Sequence, residues 1–308
     1  MSSAHAGPAR LKAIVLGSAA GGGVPQWNCR CPVCRLAWSG DPRVKPRTQS
    51  SLAVSADGEN WLLINASPDL PQQLRQTKAL HPRNGIRGSP VKAVLLTGAE
   101  IDQVAGLLSL REREPFLLCA TAVTLATLAE NAVFGVLASD VVTRKALVPA
   151  APLALPGGLQ AQLFTVPGKV PLYLEGENPD TASETAANVG VEICADNARL
   201  LYIPGAAAVT AAMTARMEGA DVVFFDGTLF RDDEMIATGT GSKTGRRMGH
   251  MPIDGEDGSL AALEGIAGRR VYVHINNTNP ILIAGSPERM HVERTGWEVA
   301  EDGMEITL

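Results

Sequence analysis

The sequence predicts two β-sheets packed face to face with helices on their outer sides, an αββα sandwich of the α/β (α+β) class. Three observations carry this. Apolar runs of strand length outnumber helical stretches, strands pair locally around turn signals in both halves, and helices fall between strands rather than in one block. A doubly wound parallel sheet would not be built from so many hairpins. No linker or low-complexity segment divides the 308 residues. Residues 1–11 are therefore expected to be a disordered leader and 12–308 a single domain.

The elements follow in order. "LKAIVLGS" (11–18) is a strand closed by glycine. "SSLAVSADGENWLLINA" (50–66) is a hairpin around Asp57-Gly58, a strong turn signal. "VKAVLLTG" (91–98) is a buried strand, and "AEIDQVAGLLSLREREP" (99–115) a loop entering a helix with Leu107, Leu108 and Leu110 on its apolar side. "FLLCATAVTLATLAENAVFGVL" (116–137) is a short strand and then a helix. "GLQAQLFTVPG" (158–168), "VGVEICADNARLLYIPG" (189–205) and "DVVFFDGTLF" (221–230) supply more strands, the second being a hairpin around Asp196-Asn197. Residues 174–188 are polar and loop-like. Residues 207–217 and 259–268 are helices, and "RRVYVHINNTNP" (269–280) is a strand running into a loop. "WEVAEDGMEITL" (297–308) is a last hairpin around Glu301–Gly303.

Composition excludes several functions. A formal net charge of -5 argues against nucleic acid as a generic partner. No apolar run reaches the roughly 18 residues of a membrane helix, and no signal-peptide core precedes the first strand. A cytoplasmic location is expected. Cys119 and Cys194 lie in apolar strands and are expected to be buried, inert thiols. His5 and His81 are expected in solvent, and His291 on a helix surface.

The glycine run "GSAAGGG" (17–23) follows a strand, as a dinucleotide loop would. It opens no helix, however, because Pro25 and Pro32 are expected to break one. Next comes "NCRCPVCR", which places Cys29, Cys31 and Cys34 within six residues. Thiolates at that spacing can converge on one tetrahedral Zn(II), and three of them leave one position for a further ligand. Reduced surface thiols are the plainer alternative.

The other candidates sit at strand ends. Glu100, Asp102 and Gln103 follow the strand ending in "LLTG", where either metal ligation or an acidic helix N-terminus accounts for them. Asp226 closes the apolar run "VVFFD" and must be buried with partners or capped in an Asp-Gly turn. His250 and His274 also stand at element boundaries. Two histidines with one or two aspartates form a ligand set for Zn or, with open positions, for Fe(II).

The stretches "LGSAAGGGVPQWNCRCPVC", "RTQSSLAVS", "NASPDL", "IDQVAGLLSLRE", "DGTLFRDDEM", "GRRMGH" and "HINNTNPIL" together resemble the pyrroloquinoline quinone (PQQ) biosynthesis protein B family, over nearly the whole chain. That family is part of the metallo-β-lactamase superfamily, so the resemblance implies the same αββα sandwich. The superfamily's H-x-H-x-D-H motif falls on Gly98, Glu100, Asp102 and Gln103, where Asp102 alone is kept. Its bridging aspartate falls on Asp226 and its last histidine on His274, with His250 beside them, while "YIPGAAA" offers no middle histidine. Ordinary dizinc hydrolysis therefore lacks its ligands.

The implied alternative is one weaker site of Asp102, Asp226, His250 and His274, with Gln103 as a neutral ligand, holding Fe(II) or another divalent metal. These four are also the implied catalytic residues. The implied activity is metal-dependent oxygenation, a hydroxylation of the tyrosine ring in a crosslinked Glu–Tyr precursor of PQQ. A carrier of PQQ or its precursor, or a divergent metallohydrolase, stands as the alternative. The cysteine cluster is implied to hold structural Zn; the relatives' fourth ligand falls on Asn277, a weak ligand, so His274, another group or water stands as the alternative fourth ligand. Arg47, Thr48, Gln49, Ser50, Asn65 and Asp69 are expected to line the substrate pocket. The expected partners are the small-molecule precursor or PQQ and other proteins of the pathway, with a homodimer as the assembly.

Overall fold

The computed structural model describes residues 11–308. Most of the expected leader lies outside these residues. Its last member, Leu11, is fully buried and accepts a hydrogen bond from the backbone of Leu308, so the folded domain already includes it.

Six strands build the first sheet in chain order: β1 (Lys12–Gly17), β2 (Ser51–Ser55), β3 (Trp61–Ile64), β4 (Val91–Leu95), β5 (Phe116–Thr121) and β6 (Val142–Leu147). Seven build the second: β7 (Pro152–Ala154), β8 (Gln160–Pro167), β9 (Glu184–Ala195), β10 (Ala198–Ile203), β11 (Val222–Asp226), β12 (Arg269–Val273) and β13 (Trp297–Val299). The last strand, β14 (Glu305–Thr307), returns to the first sheet beside β1. Each sheet is antiparallel at its start and parallel from β3 or β10 onward.

Strand alternation builds the layers. On β11, Val222 and Phe224 enter the core between the sheets, while Val223 and Phe225 face the outer layer of the second sheet. On β1, Ala13 and Val15 point inward, whereas Ile14 and Leu16 pack outward. Helices cover both outer faces: α1 (Pro32–Trp38), α2 (Leu70–Gln76), α3 (Ile101–Val104), α4 (Ala122–Glu130), α5 (Ala211–Met217), α6 (Glu234–Ala237), α7 (Ser259–Ala262) and α8 (Pro287–Arg294). The αββα arrangement expected from the sequence is the one observed.

Several local expectations are corrected. Pro32 does not break a helix but starts one, because the first helical position needs no N–H and favours the fixed φ of proline. The C-terminal pair is not a hairpin. Trp297–Val299 pairs with β12 and Glu305–Thr307 with β1, so the turn between them crosses from sheet to sheet. The acidic turn is itself structural: Asp302 accepts hydrogen bonds from Ser18 and Thr48, the two residues flanking the first loop. Strand β9 begins at Glu184, inside the stretch read as loop, and β6, β7 and α2 carried no clear sequence signal. Cys119 is buried as expected, while Cys194 is only half-buried.

Candidate metal centres and cavity

The cysteine cluster is built by a loop and a helix start. Cys31 is the N-cap of α1, and its sulfur accepts from the Cys34 amide. The Cys29 sulfur accepts from the Cys31 amide at 3.4 Å and the Cys34 sulfur from the Gln26 amide at 3.4 Å. Backbone donors aimed at sulfur favour thiolates. The three sulfurs lie within 4.8 Å of one another, and Cys31 and Cys34 are buried. Burial raises the Cys29 thiol, but the Cys31 amide, the neighbouring sulfurs and Asn277 outweigh it and bring it below its ordinary value. Burial, together with the Cys34 charge, pushes Cys31 up to about 12. Such a set fits Zn(II), which holds thiolates together that would not ionise together alone.

The fourth side of this cluster belongs to Asn277. Its amide nitrogen lies 3.1 Å from the Cys29 sulfur, 3.7 Å from Cys31 and 3.3 Å from Cys34. Turned over, the same amide presents its oxygen to an ion. Its neighbour Thr278 donates to the buried carboxyl of Glu234 at 2.5 Å, so the loop that faces the cysteines is tied to the start of α6.

The second centre lies at the C-terminal ends of parallel strands. Asp226 ends β11 and pairs in register with Val273 of β12, so His274 emerges beside it. His274 has φ 55°, a left-handed conformation that few non-glycine residues adopt and that recurs at functional sites. His250 follows a short 3₁₀ turn, and its ring stacks on His274 with centroids 5.1 Å apart. Asp102 comes from the other sheet, in the first turn of α3.

Hydrogen bonds lock this floor. His250 Nδ1 meets Asp226 Oδ2 at 2.7 Å, and His274 Nε2 meets Asp102 Oδ2 at 2.9 Å. The Thr228 hydroxyl touches Asp226 Oδ1 at 2.6 Å, His274 Nδ1 at 2.9 Å and His250 Nδ1 at 3.1 Å. It carries one proton, so it donates to one of them and accepts from another. Burial raises the Asp226 carboxyl, but the charge and hydrogen bond of His250 bring it below the usual range. The Asp102 carboxyl is lowered against its burial by His274. Burial lowers His274, and the hydrogen bond and charge of Asp102 reverse that and raise it. Asp226, His250 and His274 place ligand atoms within 4.8 Å of one another, and Asp102 bonds to one of the three. The donor set fits a divalent metal of the imidazole-and-carboxylate type.

Gln103 is not free to serve as the neutral ligand. Its side-chain oxygen caps the Glu100 amide at 3.1 Å, at the start of α3. It occupies space left by Gly98, where a Cβ would fall 2.6 Å from that oxygen. The bare Gly98 and the Gln103 cap are thus one packing arrangement.

Both centres open into one cavity of about 1100 Å³. Its walls include the glycine loop at Gly21–Gly22, Arg30 and Arg35 of the cysteine segment, and Lys169 and Lys243 opposite. Lys169 is held between Glu100 at 2.9 Å and Glu175 at 2.7 Å. Glu175 also binds Lys243 at 3.2 Å and Arg247 at 3.1 Å. Burial would raise the Glu175 carboxyl, but these cations hold it at about 2.

Of the expected pocket residues, only Gln49 lines this cavity, with its side-chain oxygen accepting from the Gly22 amide. The others serve the scaffold. Arg47 is buried, donates to the carbonyls of Ala300 and Lys45, and faces Glu301 at 3.5 Å. Thr48 binds Asp302, and Ser50 shares a hydrogen bond with the Tyr202 hydroxyl. Asn65 binds Thr97 with both ends of its amide, and Asp69 accepts from the backbone and side chain of Gln49. Sequence reasoning missed Thr228, Glu175, Arg30 and Arg35. Thr228 alone had a local signal, as a hydroxyl two residues after a buried aspartate.

Two mixed sheets with a histidine–aspartate floor at their parallel ends define a β-lactamase superfamily domain, and the family model of that description matches residues 60–275. Coenzyme PQQ synthesis protein B of Methylorubrum populi is 56% identical over 299 residues, covering 97% of this chain and 100% of the relative. The protein of the same name from Ruegeria pomeroyi is 53% identical, also covering 97% and 100%. The chain belongs to the coenzyme PQQ synthesis protein B family. The solved structure of Zn(2+)-bound PqqB from Methylobacterium extorquens has a TM-score of 0.95 at 56% identity, covering 96% of this chain and 100% of that one. A diphosphatase of the PhnP family, 21% identical with a TM-score of 0.69 over 97% of each chain, shares the fold. Among the described residues, no helix is long and apolar enough to cross a membrane.

Proposed function

We propose that this protein acts in PQQ synthesis as a metal-dependent oxygenase that hydroxylates the tyrosine-derived ring of a crosslinked Glu–Tyr precursor. The observation that carries this reading is the composition of the cavity floor. Two histidines and two aspartates meet there, while Gly98 and Gln103 fill the place where a hydrolytic dimetal site would find more histidines. Zinc at the cysteine cluster would hold the wall. Iron(II) held by Asp102, Asp226, His250 and His274 would supply reaction with dioxygen. The Thr228 hydroxyl, which reaches Asp226 and both imidazoles, would hold those ligands in place. On a dihydroxyphenyl substrate the balance closes without an outside reductant. One oxygen atom enters the ring, and the two electrons and two protons given up as the ring reaches the quinone level reduce the other to water.

The test is to load purified protein with Fe(II) anaerobically, then admit oxygen with a dihydroxyphenylalanine-type substrate. Oxygen uptake matched by ring hydroxylation is expected. Tight PQQ binding without oxygen uptake under any divalent metal would replace catalysis with carriage. Ester or phosphodiester cleavage would return the protein to hydrolysis.

A further inference from the structure

Four basic side chains line the cavity, and they differ in one respect. Lys169 and Lys243 are already answered by Glu100 and Glu175. Among the described residues, no carboxylate pairs with Arg30 or Arg35 and no hydrogen bond engages either guanidinium. Both project from the cysteine segment. Arg30 stands between Cys29 and Cys31, and Arg35 follows Cys34 on α1. Their backbone is fixed by the sulfur cluster, so less order has to be created when they meet a ligand.

Charge is therefore spread unevenly around the cavity. Its floor carries Asp102 and Asp226, one wall is charge-compensated, and the cysteine wall offers two unanswered guanidinium forks. A guanidinium accepts a carboxylate through two parallel hydrogen bonds. We propose that Arg30 and Arg35 form a carboxylate subsite that binds small molecules bearing several carboxylates and turns their ring toward the Asp102–Asp226–His250–His274 floor. The cysteine cluster thereby presents the specificity residues as well as holding the loop. The identity of the substrate rests on the function proposed above, but the subsite itself does not.

The test uses the full-length, zinc-loaded chain and three probes: PQQ, the plain tricarboxylate trimesate, and methylcatechol, which has a ring but no carboxylate. Calorimetry is run at low and high salt on wild type, Arg30→Gln/Arg35→Gln and Arg30→Lys/Arg35→Lys. In the glutamine pair, affinity for PQQ and trimesate is expected to fall about tenfold or more, with loss of most of its salt dependence. Methylcatechol affinity, zinc content and melting temperature stay unchanged. The lysine pair recovers part of the affinity, since the charge returns without the fork. Unchanged tricarboxylate binding in the glutamine pair overturns the subsite, as does an equal loss for methylcatechol. Should the glutamine pair lose zinc, the lysine pair decides, and tricarboxylate affinity there equal to wild type overturns it. Wild type that binds neither tricarboxylate also overturns it. Arginine-dependent binding of trimesate without PQQ binding keeps the subsite and removes the PQQ reading.

Discussion

His274 and Asn277 lie three residues apart on one loop and serve different centres. The left-handed backbone at His274 sends its ring to Asp102 and Thr228, while the amide of Asn277 faces the three cysteine sulfurs. The two centres sit side by side without sharing a residue.

Asn277→Ala is expected to lower zinc affinity at the cysteine cluster by about tenfold or more, and Asn277→His to raise it, since imidazole is the better ligand. Competition with a chromophoric chelator measures both. Equal affinities in all three proteins would show that the fourth position is filled from elsewhere.

Replacing Cys29, Cys31 or Cys34 by serine should release zinc and lower the melting temperature, because the cluster closes the loop leading from β1 into α1. Metal analysis and calorimetry check this. A variant with unchanged zinc and unchanged stability would refute a structural role.

Asp226→Ala and His250→Ala should keep the cysteine-bound zinc and lose the second metal equivalent, together with substrate conversion. Metal stoichiometry separates the two centres. Full activity in both variants would place the chemistry elsewhere.

Thr228→Val keeps the shape but removes the hydroxyl that joins Asp226, His250 and His274. The expected costs are about 1–3 kcal/mol of stability and roughly 10–100-fold in affinity for the second metal. Titration with Mn(II) on zinc-loaded protein reads the second term. An unaltered affinity would reduce the hydroxyl to packing.

Glu234 gives a pH signature. Burial pushes its carboxyl up to about 7 from an ordinary 4.5, against the hydrogen bonds from Thr278 and Phe230. The folded state therefore holds the proton more tightly than the unfolded one. Below about pH 4.5 both states are protonated and nothing is lost. Stability falls as pH rises through the window and levels off above about 7, by at most about 3 kcal/mol. Glu234→Gln should flatten that slope relative to wild type in denaturant melts between pH 5 and 8. Parallel slopes would mean that Glu234 does not carry the effect.

The two centres were legible because their residues mark themselves locally. Three cysteines in six residues need a reason, and Asp226, His250 and His274 stand where apolar runs end. The pocket walls were not legible in the same way. Arg47, Ser50, Asn65 and Asp69 lie in motifs that resemble the family's, but a motif does not say which way a side chain points. In the fold they turn inward to Ala300, Tyr202, Thr97 and Gln49. Arg30 and Arg35 lie inside the cysteine motif, and only the fold shows that they line the cavity with no carboxylate among the described residues beside them. Similarly, the runs of β13 and β14 around an Asp-Gly turn look like a hairpin, and only tertiary pairing shows that each joins a different sheet.

That sheet-to-sheet turn has a mechanical consequence. Ala300 receives Arg47, and Asp302 ties Ser18 to Thr48, so the last segment is a keystone for the loop that carries the cysteines. A protease cut near Glu301 would not merely fray an end. It would free the edge of β1, loosen the second sheet at β13 and release the near wall of the cavity in one event, so limited proteolysis there should be silent in the folded protein and abrupt once it occurs.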